Sequence, residues 1–315
     1  MTKKISPLTG KLLFPAPYRR LAALLLAAPA CVQSQVPLPP INLGMASFVD
    51  ADGGPGTIVQ WMNAAYKATH EVDGAGDRRP GPFRQEIGTS ILHVAHTTQH
   101  MFAGGYAGIE ILLPVAHLSV NTTGLDAAQT GVGDVALGTF LQWTDLSLGE
   151  RPLTVRADLV MVAPTGQYSA DRSLNAGFNV WQLAPYVAMT WHATPSWEIS
   201  GRLTYNWSGK NDSPPTILRA RTVQSGQQAS LNLAASYAIA PGWRIGPAAY
   251  RLQQLTDSKI DGNSLPGLRQ RVSGAGLGLL WSSGNVFVTA NLYKEFSARN
   301  RPEGHQVVVR LAAVF

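Results

Sequence analysis

The stretch Trp197–Ser208 constrains the fold more than any other part of the chain. One parity reads Trp197, Ile199, Gly201, Leu203, Tyr205, Trp207; the other reads Glu198, Ser200, Arg202, Thr204, Asn206, Ser208. A period of two is that of a β-strand, with one apolar face and one wholly polar face. At about 3.3 Å per residue the apolar face is close in length to a tilted membrane strand of roughly 9–11 residues. Aromatic residues at both of its ends are what a transmembrane β-barrel sets at its two interfaces. A soluble sandwich strand can look like this once, so repetition decides.

The pattern repeats. Strands are predicted at Thr57–Thr69, Phe83–Thr97, Phe102–Val115, Gly131–Trp143, Leu153–Ala163 and Asn179–Trp191, then Trp197–Ser208, Ala229–Ala240, Trp243–Gln254, Gln270–Trp281 and Val286–Phe296. A last strand carries Val307, Val309, Leu311, Ala313 and Phe315 on one face. The second is poorly patterned and rests partly on its neighbours; Leu153–Ala163 alternates most cleanly after the opening stretch. Long polar connections are expected after odd strands, at His70–Pro82, Ala116–Thr130, Pro164–Gly177, Gly209–Gln228 and Thr256–Arg269. Those after the sixth, eighth and tenth strands are short, such as Pro241-Gly242. Short periplasmic turns, long outer loops and an even strand number describe a bacterial outer-membrane barrel. The expected fold is therefore all-β, an antiparallel transmembrane β-barrel of about twelve strands, forming one domain over residues 57–315.

Composition agrees. Only 14% of residues are charged, 31 are Gly, mean hydropathy is near zero, and no run approaches the roughly 18 apolar residues of a spanning helix. The +6 balance contains no basic cluster interleaved with aromatics, so no nucleic-acid partner is expected. Lys3, Lys4, Lys11, Arg19 and Arg20 precede the apolar Leu21–Ala28, which reads as a signal peptide over residues 1–34, cleaved after Ala30 or Ser34. Residues 35–56 are expected to form a periplasmic segment. Cys31, the single cysteine, either leaves with the signal, stands at the extreme mature end, or is a lipidated terminus; no intrachain disulfide is possible.

At this point motifs appear in order: Gly131-Val132-Gly133-Asp134-Val135, Trp143, Val162-Ala163-Pro164-Thr165-Gly166-Gln167-Tyr168, then Asn175-Ala176-Gly177-Phe178-Asn179-Val180-Trp181 and Pro185. Together with Gly54-Pro55-Gly56-Thr57, Gly104-Gly105-Tyr106 and Asn300-Arg301-Pro302-Glu303-Gly304, the chain resembles the outer-membrane family associated with the meta-pathway of phenol degradation. The resemblance covers roughly residues 50–315; Ala163 departs from the larger apolar residue usual before Pro-Thr-Gly. It implies an outer-membrane transporter or channel for aromatic or other apolar growth substrates, and the function expected here is passive diffusion of small solutes through the barrel. The terminal Phe315 also resembles the signal by which the barrel-assembly machinery recognises its clients.

If the apolar stripes face lipid, Glu110, Asp134, Arg156, Asp158, Glu198, Arg202 and Arg310 face the lumen, because Arg or Lys costs about 2–4 kcal/mol at the bilayer midplane. Opposed charges there either steer solutes or pair across strands and plug a narrow barrel. Whether Arg156, Asp158, Glu198 and Arg202 meet depends on the sixth strand between them. Tyr168, Asp171 and Arg172 are the candidates for a constriction or recognition loop. The eight Trp residues are expected chiefly in interface girdles, and Gly274, Gly276 and Gly278 leave room on one face of the tenth strand. His93 and His96 have opposite parity and cannot share an ion on a regular strand, so no metal is expected. No cofactor and no catalytic group is expected: an outer-wall serine hydrolase needs a Ser-His pairing that the spacing does not impose. The alternatives to a channel are a barrel with a filled lumen in a structural or surface-binding role and, third, a membrane-embedded enzyme.

Overall fold

The computed structural model describes residues 36–39 and 42–315. The signal segment and Cys31 lie outside the described residues. Period-two patterning produces twelve antiparallel barrel strands. They are β1 (Gly56–Val72), β2 (Phe83–Phe102), β3 (Gly105–Thr122) and β4, which runs in two halves, Leu125–Val132 and Ala136–Leu148. After them come β5 (Arg151–Val162), β6 (Gln182–Trp191), β7 (Trp197–Ser208), β8 (Gln228–Ala240) and β9 (Trp243–Gln254). The last are β10 (Arg271–Ser283), β11 (Val286–Arg299) and β12 (Arg301–Val314). Each strand pairs with its neighbours in sequence, and β12 returns to β1 through pairs such as Trp61↔Leu311, so the sheet closes on itself, while the outer half of β4, Leu125–Val132, pairs with β3 alone.

The expected inside-out burial is present. Leu203, Val187, Leu233, Leu277 and Leu292 are exposed on the outer wall, whereas Glu198, Ser200, Asn232, Gln228 and Asn291 are buried inside. A soluble core reverses this arrangement. The tryptophans cluster at the strand ends. Trp243 and Trp281 face each other at the periplasmic ends of β9 and β10 (centroids 6.4 Å apart), and Trp207 lies at the outer end of β7.

Three expectations are corrected. The long loop over Ala116–Thr130 does not exist: β3 continues to Thr122, turns through Thr123-Gly124, and β4 returns from Leu125. Its extra length carries His117, Ser119 and Asn121 on the outer face, above the lipid, where no apolar stripe marks a strand. β6 begins at Gln182 rather than Asn179, because the Phe178 amide donates to Asp134 (2.8 Å) and Asn179 turns through φ 57°. β11 runs past the expected end at Phe296 to Arg299 and meets β12 at Asn300 alone, so the final hairpin also rises beyond the membrane with a polar outer end.

The segment before β1, expected in the periplasm, instead threads the barrel. The Pro37 carbonyl accepts from Ser225 and the Pro39 carbonyl from Gln228, at the outer end of β8. From Gly44 to Ala51 the segment descends to the periplasmic half. There the Gly44 amide donates to Asn232 (2.7 Å), Val49 to Glu198 (2.9 Å) and Ala51 to Thr190 (3.0 Å). Phe48 is fully buried, in one apolar cluster with Tyr250, Leu252 and Tyr293 from the wall. A run without period-two alternation offers no lipid-facing stripe, and each of these backbone groups finds a wall side chain in place of a sheet partner.

Candidate transport lumen

The polar parity of β7, predicted to face inward, does so, and the same holds for β3 and β5. Glu110 receives Arg156 Nη2 at 3.0 Å and lies 3.0 Å from His93 Nε2. Arg156 Nε approaches Asp158 to 3.5 Å, and Asp158 accepts from the Tyr186 hydroxyl at 3.0 Å. The sixth strand answers the question of contact. Ala188 stands between Arg156 and Arg202 on one cross-strand row, small enough to leave both guanidinium groups room. Tyr186 beside it takes Arg202 over its ring at 4.2 Å, while Arg156 covers the Phe140 ring at 3.4 Å. Gly138 is required for close approach: a Cβ there would come within 2.6 Å of Glu110 and 2.8 Å of Asp158.

Arg202 and Arg310 converge on Asp50 of the threaded segment, at 2.8 and 3.7 Å. Arg310 also donates to the Phe48 carbonyl (3.2 Å). Glu198 does not join the Arg156 cluster. Its carboxylate accepts from the Val49 amide and from the hydroxyls of Ser200 and Ser236. Wall charge is thus used in two ways, across strands around Glu110 and onto the thread around Asp50.

Asp134 occupies the interruption of β4. It accepts the amides of Gly166 and Phe178, both at 2.8 Å, and so pins the connection after β5 to the wall. That connection enters the lumen through Asn175, Ala176 and Phe178. The three residues expected to form a constriction or recognition loop do not line the cavity and lie on the outer loops. The Tyr168 hydroxyl donates to the Ser213 carbonyl (2.7 Å), tying two outer loops together, and Asp171 and Arg172 are exposed. Phe315 is also exposed, and its backbone exchanges hydrogen bonds with Thr57 at the barrel seam (2.8 and 2.9 Å).

Beside the thread lies a cavity of about 610 Å³. One side of it is mainly apolar, from Ile87, Ile91, Leu112, Leu118, Val162 and Phe178, the opposite side carries amides such as Gln182, Asn206 and Gln228, and its floor carries His93, Glu110, Arg156 and Arg202. The volume falls in the range of small-molecule sites, roughly 300–1,000 Å³.

Three functional groups escaped the sequence reading. His93 faces the lumen and Glu110, opposite to His96, whose ring meets Thr57; parity alone places the two apart but does not say which lies inside. Glu295, at the end of an irregular stretch of β11, accepts from the hydroxyls of Tyr66 (2.8 Å) and Tyr250 (3.1 Å) and faces Arg301 (3.7 Å). Asp50 sits in a segment with no strand pattern, and nothing local marks it.

A closed twelve-stranded wall with a lipid-facing apolar band, polar lumen and aromatic ends defines a bacterial outer-membrane β-barrel. Residues 69–311 match the family described as putative MetA-pathway of phenol degradation, and the chain belongs to that family. The fold is similar to that of the COG4313 outer membrane channel from Pseudomonas putida F1. That similarity has a TM-score of 0.74 and 19% identity, and covers 89% of this chain and 100% of the channel. Weaker likenesses include the beta domain of the Bordetella autotransporter BrkA (TM-score 0.49, 13% identity, 82% and 100% covered) and the Pseudomonas putida toluene transporter TodX (0.44, 7%, 89% and 95%). No curated protein matches the sequence.

Proposed function

We propose that this chain is an outer-membrane channel that passes small apolar solutes, aromatic ones among them, by passive diffusion through the upper lumen, with the threaded N-terminal segment limiting the axial path. The observation that carries this reading is the cavity beside the thread. An apolar wall of Ile87, Ile91, Leu112 and Leu118 above the Glu110–Arg156 floor suits a ring with at most one polar substituent. Charged floor groups that are already paired offer a hydrated ion little, whereas the apolar side formed by Ile87, Ile91, Leu112 and Leu118 favours apolar matter. Family membership points the same way. Glu110, Arg156, Asp158 and Arg202 are the lumen-lining residues of this reading; Phe315 is its assembly signal toward the barrel-assembly machinery, and residues 1–34 its cleaved leader. No catalytic group is assigned.

The second reading, a permanently filled barrel with a binding or structural role, is favoured by the many bonds that hold the thread. Proteoliposomes separate the two. The channel reading expects toluene to equilibrate faster than across protein-free vesicles, and Phe178→Asp together with Leu112→Asp to slow it severalfold while the barrel stays heat-modifiable. Equal rates with and without folded protein would leave the filled-barrel reading standing.

A further inference from the structure

The outer wall is not apolar all round. On β5, β6, β7 and β8 the outward positions along the membrane band are uncharged, for example Leu159, Val187, Leu203 and Leu233. On β9, β10 and β11 the apolar stripe ends upward in Arg251, Arg271, Lys294 and Arg299. Their inward neighbours Tyr250, Leu252, Val272, Tyr293, Glu295 and Ala298 are buried, which fixes the four basic side chains on the outside.

Register brings them together. Arg271 stands directly opposite Arg299 on β11 and opposite Gln253 on β9; Arg251 faces Ser273, one step diagonal from Arg271, and Lys294 faces Ala275. Like charges directly opposite on a sheet repel. Nothing within the protein relieves them: none of the ion pairs among the described residues includes any of these four. Arg271 Nε has no hydrogen-bond partner, and Arg299 reaches only the Gly74 carbonyl. The nearby carboxylates are committed elsewhere: Glu303 to the Ala298 amide and His70, Asp257 to Arg269.

Their height is also set. Arg251 is eight residues above Trp243 and Arg271 ten above Trp281, both tryptophans being at the periplasmic end. Strand rise and a tilt of about 40° put them roughly 20–25 Å above that end, the height of the lipid-facing band. That is the headgroup level of the outer leaflet, which in this membrane is a phosphorylated glycolipid. Directly below, Leu277 and Leu292 are paired across strands and each is more than 60% exposed, a surface for acyl chains.

We propose that Arg251, Arg271, Lys294 and Arg299 form a binding site for the phosphate groups of the outer-leaflet glycolipid, whose acyl chains lie on the Leu277–Leu292 stripe. Arginine forks hold phosphate bidentately, and a doubly phosphorylated headgroup neutralises the opposed pair as no single internal carboxylate does.

The test uses full barrel refolded in detergent from inclusion bodies, free of native lipid, with dissociation measured by native mass spectrometry. The probes are bisphosphorylated lipid A, monophosphoryl lipid A and phosphatidylglycerol, with inorganic phosphate as competitor. Bisphosphorylated lipid A is expected to bind at least tenfold more tightly than either other lipid and to resist millimolar phosphate. Arg251→Gln, at an exposed outer-wall site, should weaken it severalfold. Arg251→Gln/Arg271→Gln/Lys294→Gln should weaken it at least tenfold with heat-modifiability retained, whereas Arg84→Gln/Lys210→Gln/Arg151→Gln should not. The proposal is overturned if the triple variant binds as the parent does, if phosphatidylglycerol binds equally well, or if inorganic phosphate alone displaces the lipid.

Discussion

Asp50→Asn removes the one carboxylate on which Arg202 and Arg310 converge. Its side chain is 2% exposed, and the partner arginines are 18% and 13% exposed. At contact distances of 2.8 and 3.7 Å the gross attractions are about 6 and 4.5 kcal/mol at an effective dielectric of 20, before the opposing desolvation is counted. Removing one member of a buried ion set costs about 3–5 kcal/mol, since the remaining charges stay buried and unpaired. The amide geometry of Asn returns part of this through a hydrogen bond to Arg202, so the expected net loss is about 3 kcal/mol, charged to docking of the thread rather than to the wall. At 1.4 kcal/mol per power of ten the undocked population rises roughly a hundredfold. The assay is thiol labelling of Ala51→Cys in folded protein, which is buried at 1% exposure and reacts only when the thread leaves. Asp50→Asn should accelerate labelling by about two powers of ten with the barrel's unfolding temperature nearly unchanged. Unchanged labelling would refute the claim that the Arg202–Asp50–Arg310 contact holds the segment; a matching fall in wall stability would show instead that the arginines serve the barrel.

Other expectations follow from the same geometry. Gly138→Val places atoms against Glu110 and Asp158, so the heat-modification temperature should fall by several degrees, whereas Gly54→Val, with open space around it and no left-handed backbone, should cost far less. Asp134→Ala takes the acceptor from two loop amides; limited proteolysis should then cut between residues 163 and 181 faster than in the parent. Asp73 accepts the amides of Asp77, Ala75 and Gly76 and is held below the ordinary carboxylate range by them. Its contribution to loop order is full above about pH 4, the ordinary Asp value, and is lost as pH falls through the depressed one. Hydrogen exchange at residues 75–77 should therefore rise only in acid, and Asp73→Asn should abolish that dependence.

The wall was legible because a lipid-facing strand must show its face: Trp197–Ser208 and Leu153–Ala163 alternate, and their boundaries in the structure match within a residue or two. Legibility stops where that constraint stops. Above the bilayer both faces of β3 and of the β11–β12 hairpin meet water or protein, and outward His117 and Asn121 look like loop. Asp134 is inward as expected, yet its task is set by the amides of Gly166 and Phe178, some 30 to 45 residues away in sequence. The thread carries no periodicity because its partners are the inner faces of strands distant in sequence. Asp50 meets Arg202 and Arg310 only once the barrel has closed.

The most direct test of a threaded channel is single-channel conductance in a planar bilayer, comparing the chain from Gln35 with one lacking residues 35–49, each with and without phenol or toluate. The account predicts small, flickering openings for the longer protein, larger and steadier ones once the thread is removed, and block by the aromatic solute in both. Identical conductance in the two proteins, or steady currents indifferent to the solute, would contradict it.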